Sequence, residues 1–195
     1  MNIAVIKYNA GNIRSVAFAL ERLNADFEIT DNPEKIKSAD KVIFPGVGEA
    51  SSTMRYLKEK NLDKVIINLK QPVLGICLGM QLMCKHSQEN DTPCLGIFDE
   101  VVKKFIPNNG QKVPHMGWNT LQESKGWLTS IMDGQFVYFV HSYYVPVNSF
   151  TSAITEYINP FSAAMKKNNF FAVQFHPEKS SETGKLILES FIKNA

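Results

Sequence analysis

The stretch Pro72-Val73-Leu74-Gly75-Ile76-Cys77-Leu78-Gly79-Met80-Gln81 runs from an apolar strand straight into helix-forming residues, with a cysteine at the junction. Gly75 and Gly79 stand two residues before and two after Cys77. That spacing is the pattern of a nucleophile elbow. The central residue takes strained backbone angles, and the flanking glycines let neighbouring chain approach closely. The junction also sets the sulfur near a helix N-terminus, where unpaired N–H groups and the helix dipole favour thiolate over thiol. The plain alternative is a small buried cysteine, with both glycines serving only helix–sheet packing.

Outward from this junction the chain alternates. Met1 to Tyr8 reads as an apolar strand, Asn9 to Asn12 has turn chemistry, and Ile13, Val16, Ala17 and Leu20 recur at helical spacing. Phe27 to Thr30 is a short strand, Asn32 is placed to cap a helix opened by Pro33, and Lys41 to Phe44 is a further strand ended by Pro45-Gly46. Met54 to Leu69 reads as helix with a break near Asn61. Strands alternating with helices predict an α/β fold around a central, mostly parallel sheet. The second half reads differently. Val101 to Ile106, Phe136 to Val140, Ala153 to Tyr157 and Phe170 to Phe175 are strand-like and are expected to extend the sheet, partly antiparallel, before a helix from about Gly184 to Lys193.

At 195 residues and 44% hydrophobic content, the chain suits one well-buried core, and a single domain over residues 1–195 is expected. The net charge of +2, spread along the sequence, offers no basic block for nucleic acid. The N-terminal residues lack signal-peptide features, and no segment approaches the ~18 apolar residues of a membrane span, so a soluble cytoplasmic protein is expected. Cys77, Cys84 and Cys94 are odd in number and form no C-x-x-C pair, which points away from a disulfide framework or a zinc site.

A thiolate nucleophile needs a base and a group to orient it. Of His86, His115, His141 and His176, only His176 has an acid at hand, in Gln174-Phe175-His176-Pro177-Glu178. Pro177 disfavours helix for the residue before it, so the strand is expected to continue extended through His176 to Glu178. Residues two apart then face the same side, which lets Glu178 reach the imidazole. Taken alone, the tripeptide also reads as a strand end with a solvated carboxylate.

The combination of Gly75-x-Cys77-x-Gly79-x-Gln81, His176-Pro177-Glu178 a hundred residues later, and the turn Pro45-Gly46-Val47-Gly48 resembles the class I (triad) glutamine amidotransferases. Tyr8 to Val16 (YNAGNIRSV) and Pro114 to Asn119 (PHMGWN) narrow the resemblance to a branch whose members serve a cyclase. It covers essentially the whole chain. It implies a flavodoxin-like sheet flanked by helices, and hydrolysis of L-glutamine to glutamate and ammonia by Cys77, His176 and Glu178. It also implies an oxyanion hole from the Leu78 N–H and the backbone around Val47, and glutamine contacts from Gly46, Gly48, Gln81, Glu89, Ser142 and Tyr143. The implied partner is a cyclase subunit of (β/α)8-barrel fold that binds the nucleotide-derived substrate, so the chain itself should need no cofactor or metal. Asn12, Met116, Trp118 and Lys179 are the expected interface. Plainer readings stand beside these: a solvated Gln81, a strand end at Ser142-Tyr143, core packing for Trp118, and glycines around Val47 that merely permit a tight turn. A glutaminase serving another synthase, or a non-catalytic interaction module on the same fold, are the competing functions.

Overall fold

The structure is a computed structural model that describes residues 1–8, 13–108, 110–129 and 132–195. Its centre is a seven-stranded sheet. Strands β1 (Asn2–Ile6), β2 (Asp26–Thr30), β3 (Lys41–Phe44), β4 (Val73–Ile76) and β13 (Phe170–Val173) are mutually parallel in the order β2-β1-β3-β4-β13. Beyond β13, β12 (Pro160–Lys167) and β11 (Thr151–Glu156) add antiparallel strands at the edge. Residues of β3, β4 and β13 are buried throughout, as expected for strands covered on both faces.

Two apolar layers do the covering. On one face α1 (Ile13–Arg22) and α6 (Ser181–Asn194) bring Val16, Leu20, Ile187 and Phe191 onto Ile3, Val5 and Ile43. On the other, α2 (Pro33–Ser38), α3 (Ala50–Glu59), α4 (Leu62–Ile67) and α5 (Leu78–Met83) pack Ile36, Leu57, Ile66 and Leu82 onto Ile6, Val42 and Phe44. Each such side chain, removed fully from water, contributes roughly 1.5–3 kcal/mol.

Local chemistry sets the helix ends. The Asn32 carboxamide oxygen accepts from Glu34 N at 2.9 Å and Lys35 N at 3.3 Å, with Pro33 in the first turn. The expected break at Asn61 is present: this residue sits in the left-handed region at φ 55° between α3 and α4.

Two strands expected to extend the sheet do not. β7 (Phe98–Lys104) joins β5 (Cys84–Ser87), β6 (Thr92–Pro93) and β10 (Tyr143–Tyr144) in a small separate sheet. Among the described residues β9 (Phe136–His141) pairs with β8 (His115–Thr120) alone, an antiparallel ribbon. The expected turn at Asn9 to Asn12 lies outside the described residues.

Candidate active site

Cys77 follows β4 and precedes α5 at φ 52° and ψ −107°, a left-handed conformation that a non-glycine side chain adopts only at a cost. The elbow is clamped from below. A side chain at Gly79 would strike the carbonyl of Phe44 at the end of β3, and one at Gly46 would strike Leu78 and Gly79. At Gly75 it would lie 2.8 Å from the Met83 sulfur. Close packing therefore demands this glycine pattern, while the backbone strain falls on Cys77 itself.

The parallel register of β4 and β13 pairs Ile76 with Val173, so the residues that follow each strand emerge side by side. Cys77 N donates to Val173 O at 2.7 Å. His176 is fully buried, its Nδ1 2.8 Å from Glu178 Oε1, and the ring is hydrogen-bonded on its other side to Cys77. Burial alone lowers the His176 pKa. The charge of Cys77 and its hydrogen bond, with Glu178 behind, outweigh this and raise it to about 10. That direction suits an imidazole that is to take up a proton from a cysteine nucleophile. The path to Glu178 differs from the sequence expectation. Pro177–Lys179 form a 3-10 turn, not an extended segment, because Pro177 opens a turn readily once His176 itself is extended.

The sulfur opens into a cavity of about 340 Å³ lined by Val47, Gly48, Leu78, Gln81, Glu89, Ser142 and Tyr143, together with Pro114, Val140 and His141. Gly46, expected among the glutamine contacts, is packed beneath the elbow and does not line it. Gln81 is no solvated helix residue. It is 4% exposed, and its Nε2 donates to Tyr143 O at 2.9 Å and to Gln174 Oε1 at 2.9 Å. Glu89 gives the cavity its negative end. Its Oε2 accepts from Ala50 N at 2.8 Å, and burial, then the charge of Glu49, outweigh that bond and raise its pKa. A carboxylate so placed gains from a cation such as an α-ammonium group.

His115 and His141 belong to a different network. His141 Nδ1 lies 2.8 Å from Tyr143 O, which can only accept, so Nδ1 carries the proton and Nε2 accepts from His115 Nδ1 at 3.0 Å. Both rings are neutral: burial lowers His115 to about 4 and His141 to about 3.

Met116 and Trp118 are 63% and 52% exposed, so core packing does not explain the tryptophan. They share the outer face of the β8–β9 ribbon with Tyr138 and Phe136, the latter 57% exposed. Lys179 lies with Trp118 on the wall of a second cavity of about 600 Å³. Asn12 is outside the described residues.

Three site neighbours are not legible from the motifs. Tyr8 donates its hydroxyl to Pro45 O and so ties the start of the Pro45–Gly48 turn to β1. Val140 O lies 3.9 Å from Cys77 Sγ. Gln174 is fully buried with Nε2 3.6 Å from the same sulfur. A signal for Gln174 is present in the chain: it is a polar residue in the apolar run Phe170 to Phe175, two before His176 and hence on the same side of an extended chain.

The glutamine amidotransferase class-I family matches residues 4–195. The imidazole glycerol phosphate synthase subunit HisH of Bacteroides fragilis (strain YCH46) is 60% identical over 195 residues, covering 99% of this chain and 100% of that protein. The HisH subunit of Idiomarina loihiensis is 44% identical over 99% of this chain and 98% of its own length. Among solved structures, a putative GMP synthase subunit from Thermoplasma acidophilum superposes with a TM-score of 0.74 at 20% identity, covering 98% of this chain and 92% of that one, and shows the shared fold. The chain belongs to the class I glutamine amidotransferases, and within them to the HisH subunits of imidazole glycerol phosphate synthase.

Proposed function

We propose that the chain is the glutaminase subunit of imidazole glycerol phosphate synthase and acts in histidine biosynthesis. It hydrolyses the side-chain amide of L-glutamine through a thioester on Cys77. The observation that carries this reading is the strained Cys77 elbow, hydrogen-bonded to the buried His176–Glu178 pair and open to a cavity that the Glu89 carboxylate also lines.

Glutamine enters with its α-ammonium toward Glu89 and Gln81 and its amide carbon at Cys77 Sγ. The thiolate adds to that carbon, His176 passes its proton to the leaving nitrogen, and ammonia departs. Water, deprotonated by His176, then adds to the thioester and releases glutamate. Both tetrahedral stages place negative charge on the former amide oxygen. Leu78 opens α5, where the first N–H groups have no partner within the helix, and its N–H is one donor. The backbone at Val47, which lines the same cavity, is the second. Gly48, Ser142 and Tyr143 shape the walls.

Ammonia free in neutral water is mostly protonated and no longer nucleophilic, so a partner must receive it directly. The outer face of the β8–β9 ribbon supports docking beside the sulfur. It exposes Met116 and Trp118, while the Val140 carbonyl of the same ribbon lies against Cys77. The partner is a cyclase subunit of (β/α)8-barrel fold, with Lys179 and Asn12 toward the edge of the contact. No helix among the described residues is long and apolar enough to cross a membrane, in keeping with a cytoplasmic site of action.

Incubation with a diazo-ketone analogue of glutamine tests the reading. One adduct, on Cys77, is expected by peptide mass spectrometry, with parallel loss of glutamine-dependent imidazole glycerol phosphate formation in the presence of the partner. Labelling elsewhere, or activity that survives complete labelling, refutes it.

A further inference from the structure

Gln174 touches the reacting atom, and nothing in the triad chemistry above uses it. It leaves β13 one residue past Val173, and the parallel register with Ile76 sets it beside Cys77. Its side chain is fully buried, where an uncommitted amide is costly. Both ends are committed: Oε1 accepts from Gln81 Nε2 at 2.9 Å, and Nε2 lies 3.6 Å from Cys77 Sγ.

The orientation of this amide follows from its neighbours. The carbonyl of Tyr143 can only accept, so the Gln81 side chain must turn its nitrogen toward it. The same nitrogen faces Gln174, which must answer with its oxygen. The Gln174 nitrogen is thereby left facing the sulfur. A flipped Gln174 would set two N–H groups against each other and a carbonyl oxygen against a thiolate. The relay Tyr143–Gln81–Gln174–Cys77 thus has one self-consistent direction, and it ends in a donor on the nucleophile.

We propose that Gln174 is a further catalytic residue of the glutaminase, its side-chain amide donating to Cys77 Sγ and stabilising the thiolate that attacks glutamine. The bond is to a charged acceptor before attack and to a neutral thioester sulfur afterwards, so it favours the poised nucleophile. It also gives the sulfur a second fixed neighbour besides the His176 ring. The ionisable groups around the sulfur are His176 with Glu178, Tyr8, His141 and, across the cavity, Glu89. None of them supplies a neutral N–H donor in this position. The proposal rests on the reading of Cys77 as the nucleophile.

The test is the pH dependence of iodoacetamide alkylation in the full chain, followed on the Cys77 peptide by mass spectrometry. A hydrogen bond to a charged group corresponds to about one pH unit or more. Gln174→Met, close in shape but without the donor, should raise the Cys77 midpoint by about one unit, an approximately tenfold loss of thiolate below it. Gln81→Met removes the anchor on Oε1 and the bond to Tyr143 O but leaves the donor on the sulfur, and should raise it less. An unchanged midpoint in a folded Gln174→Met, or an equal or larger rise in Gln81→Met, overturns the proposal. If Gln174→Met does not fold, the wild-type chain decides by NMR. One glutamine side-chain NH₂ pair should titrate with the alkylation midpoint and cease to do so in Cys77→Ala, and absence of such a pair overturns the proposal. Wild-type Cys77 that alkylates no faster than Cys84 or Cys94 would instead refute the nucleophile reading itself.

Discussion

His176 Nδ1 and Glu178 Oε1 are 2.8 Å apart with both side chains fully buried, and a turn holds them there: Lys179 N donates to His176 O at 3.0 Å and Ser180 Oγ to the same carbonyl at 2.6 Å. A buried ionic pair of this kind is costly to break from one side, because the remaining charge is left without compensation.

Removing the sulfur should therefore be felt by the imidazole. In Cys77→Ala the leading upward influences on His176 are gone, and its NMR titration midpoint should fall well below that of wild type. The folded pKa lies above the ordinary 6.5, so the pair contributes stability that is fully present below about pH 6.5 and is lost as pH rises through about 10. The wild-type Tm should fall over that window more than the Tm of Cys77→Ala. Glutamine-dependent synthesis should vanish in Cys77→Ala while synthesis from ammonium salts persists. His176→Asn should lose nearly as much and Glu178→Gln less. Equal loss of both activities in Cys77→Ala would count against the assignment.

The His115–His141 pair sets the opposite sign at acid pH. Both rings are neutral when folded and protonate readily when unfolded, so stability is present above about pH 6.5 and is lost as pH falls toward 4 and 3. For His141 alone the slope is about 1.4 kcal/mol per pH unit across that interval. Denaturant melts of wild type between pH 7 and 4 should show it, and His141→Gln should flatten the dependence while lowering stability at pH 7. A profile unaltered by that substitution would mean the pair does not titrate on unfolding.

How far these features are legible in the sequence varies with their range in the chain. The elbow can be read because strand, cysteine, glycines and helix are contiguous, and their strain is local. The capped helix at Asn32 and the break at Asn61 are legible for the same reason. The sheets of the second half are not. Phe136 to Val140 has the alternation of a strand, but only long-range packing decides that it pairs with His115–Thr120 and leaves the central sheet alone. Pro160–Lys167 escapes a reading by pattern because its burial is nearly continuous, which hides the period of two. The His176–Glu178 contact is expected from the sequence for a partly wrong reason, an extended chain where a turn stands. Gln174 carries a weaker signal, a polar residue in an apolar run two before His176, and its bond to Cys77 depends on a partner about a hundred residues away.

Exposure of Trp118 separates folding from association. At 52% exposed and packed edge-on against Tyr138, it contributes little to the core of the isolated chain. Trp118→Ala should leave the Tm of the chain within a few degrees of wild type. Buried interfacial tryptophans commonly cost about 2 kcal/mol or more when truncated, so affinity for the cyclase subunit should fall roughly 30-fold or further by titration calorimetry. A large drop in Tm with unchanged affinity would place Trp118 in the fold and not in the interface.

The Pro45–Gly48 turn carries the last prediction, which concerns control of the second oxyanion donor. Its two halves are held differently. Pro45 O accepts from the Tyr8 hydroxyl, and Gly46 is pressed against Leu78 and Gly79. Gly48, at φ 125°, has no atom near where a side chain would stand. Val47 lies between a clamped residue and a loose one and lines the cavity that Cys77 opens into. Rotation of its peptide is therefore sterically cheap on one side, and the donor can be withheld until a partner is seated. If so, the isolated chain should bind glutamine yet hydrolyse it slowly, and the partner with its ligand should raise kcat far more than it lowers KM. One restored donor corresponds to roughly 10²–10³ in kcat. Steady-state glutaminase assays of the chain alone, with partner, and with partner and ligand measure this directly. A high kcat for the chain alone, unmoved by partner, would show a donor already in place and a turn that serves only to pass the chain over the elbow.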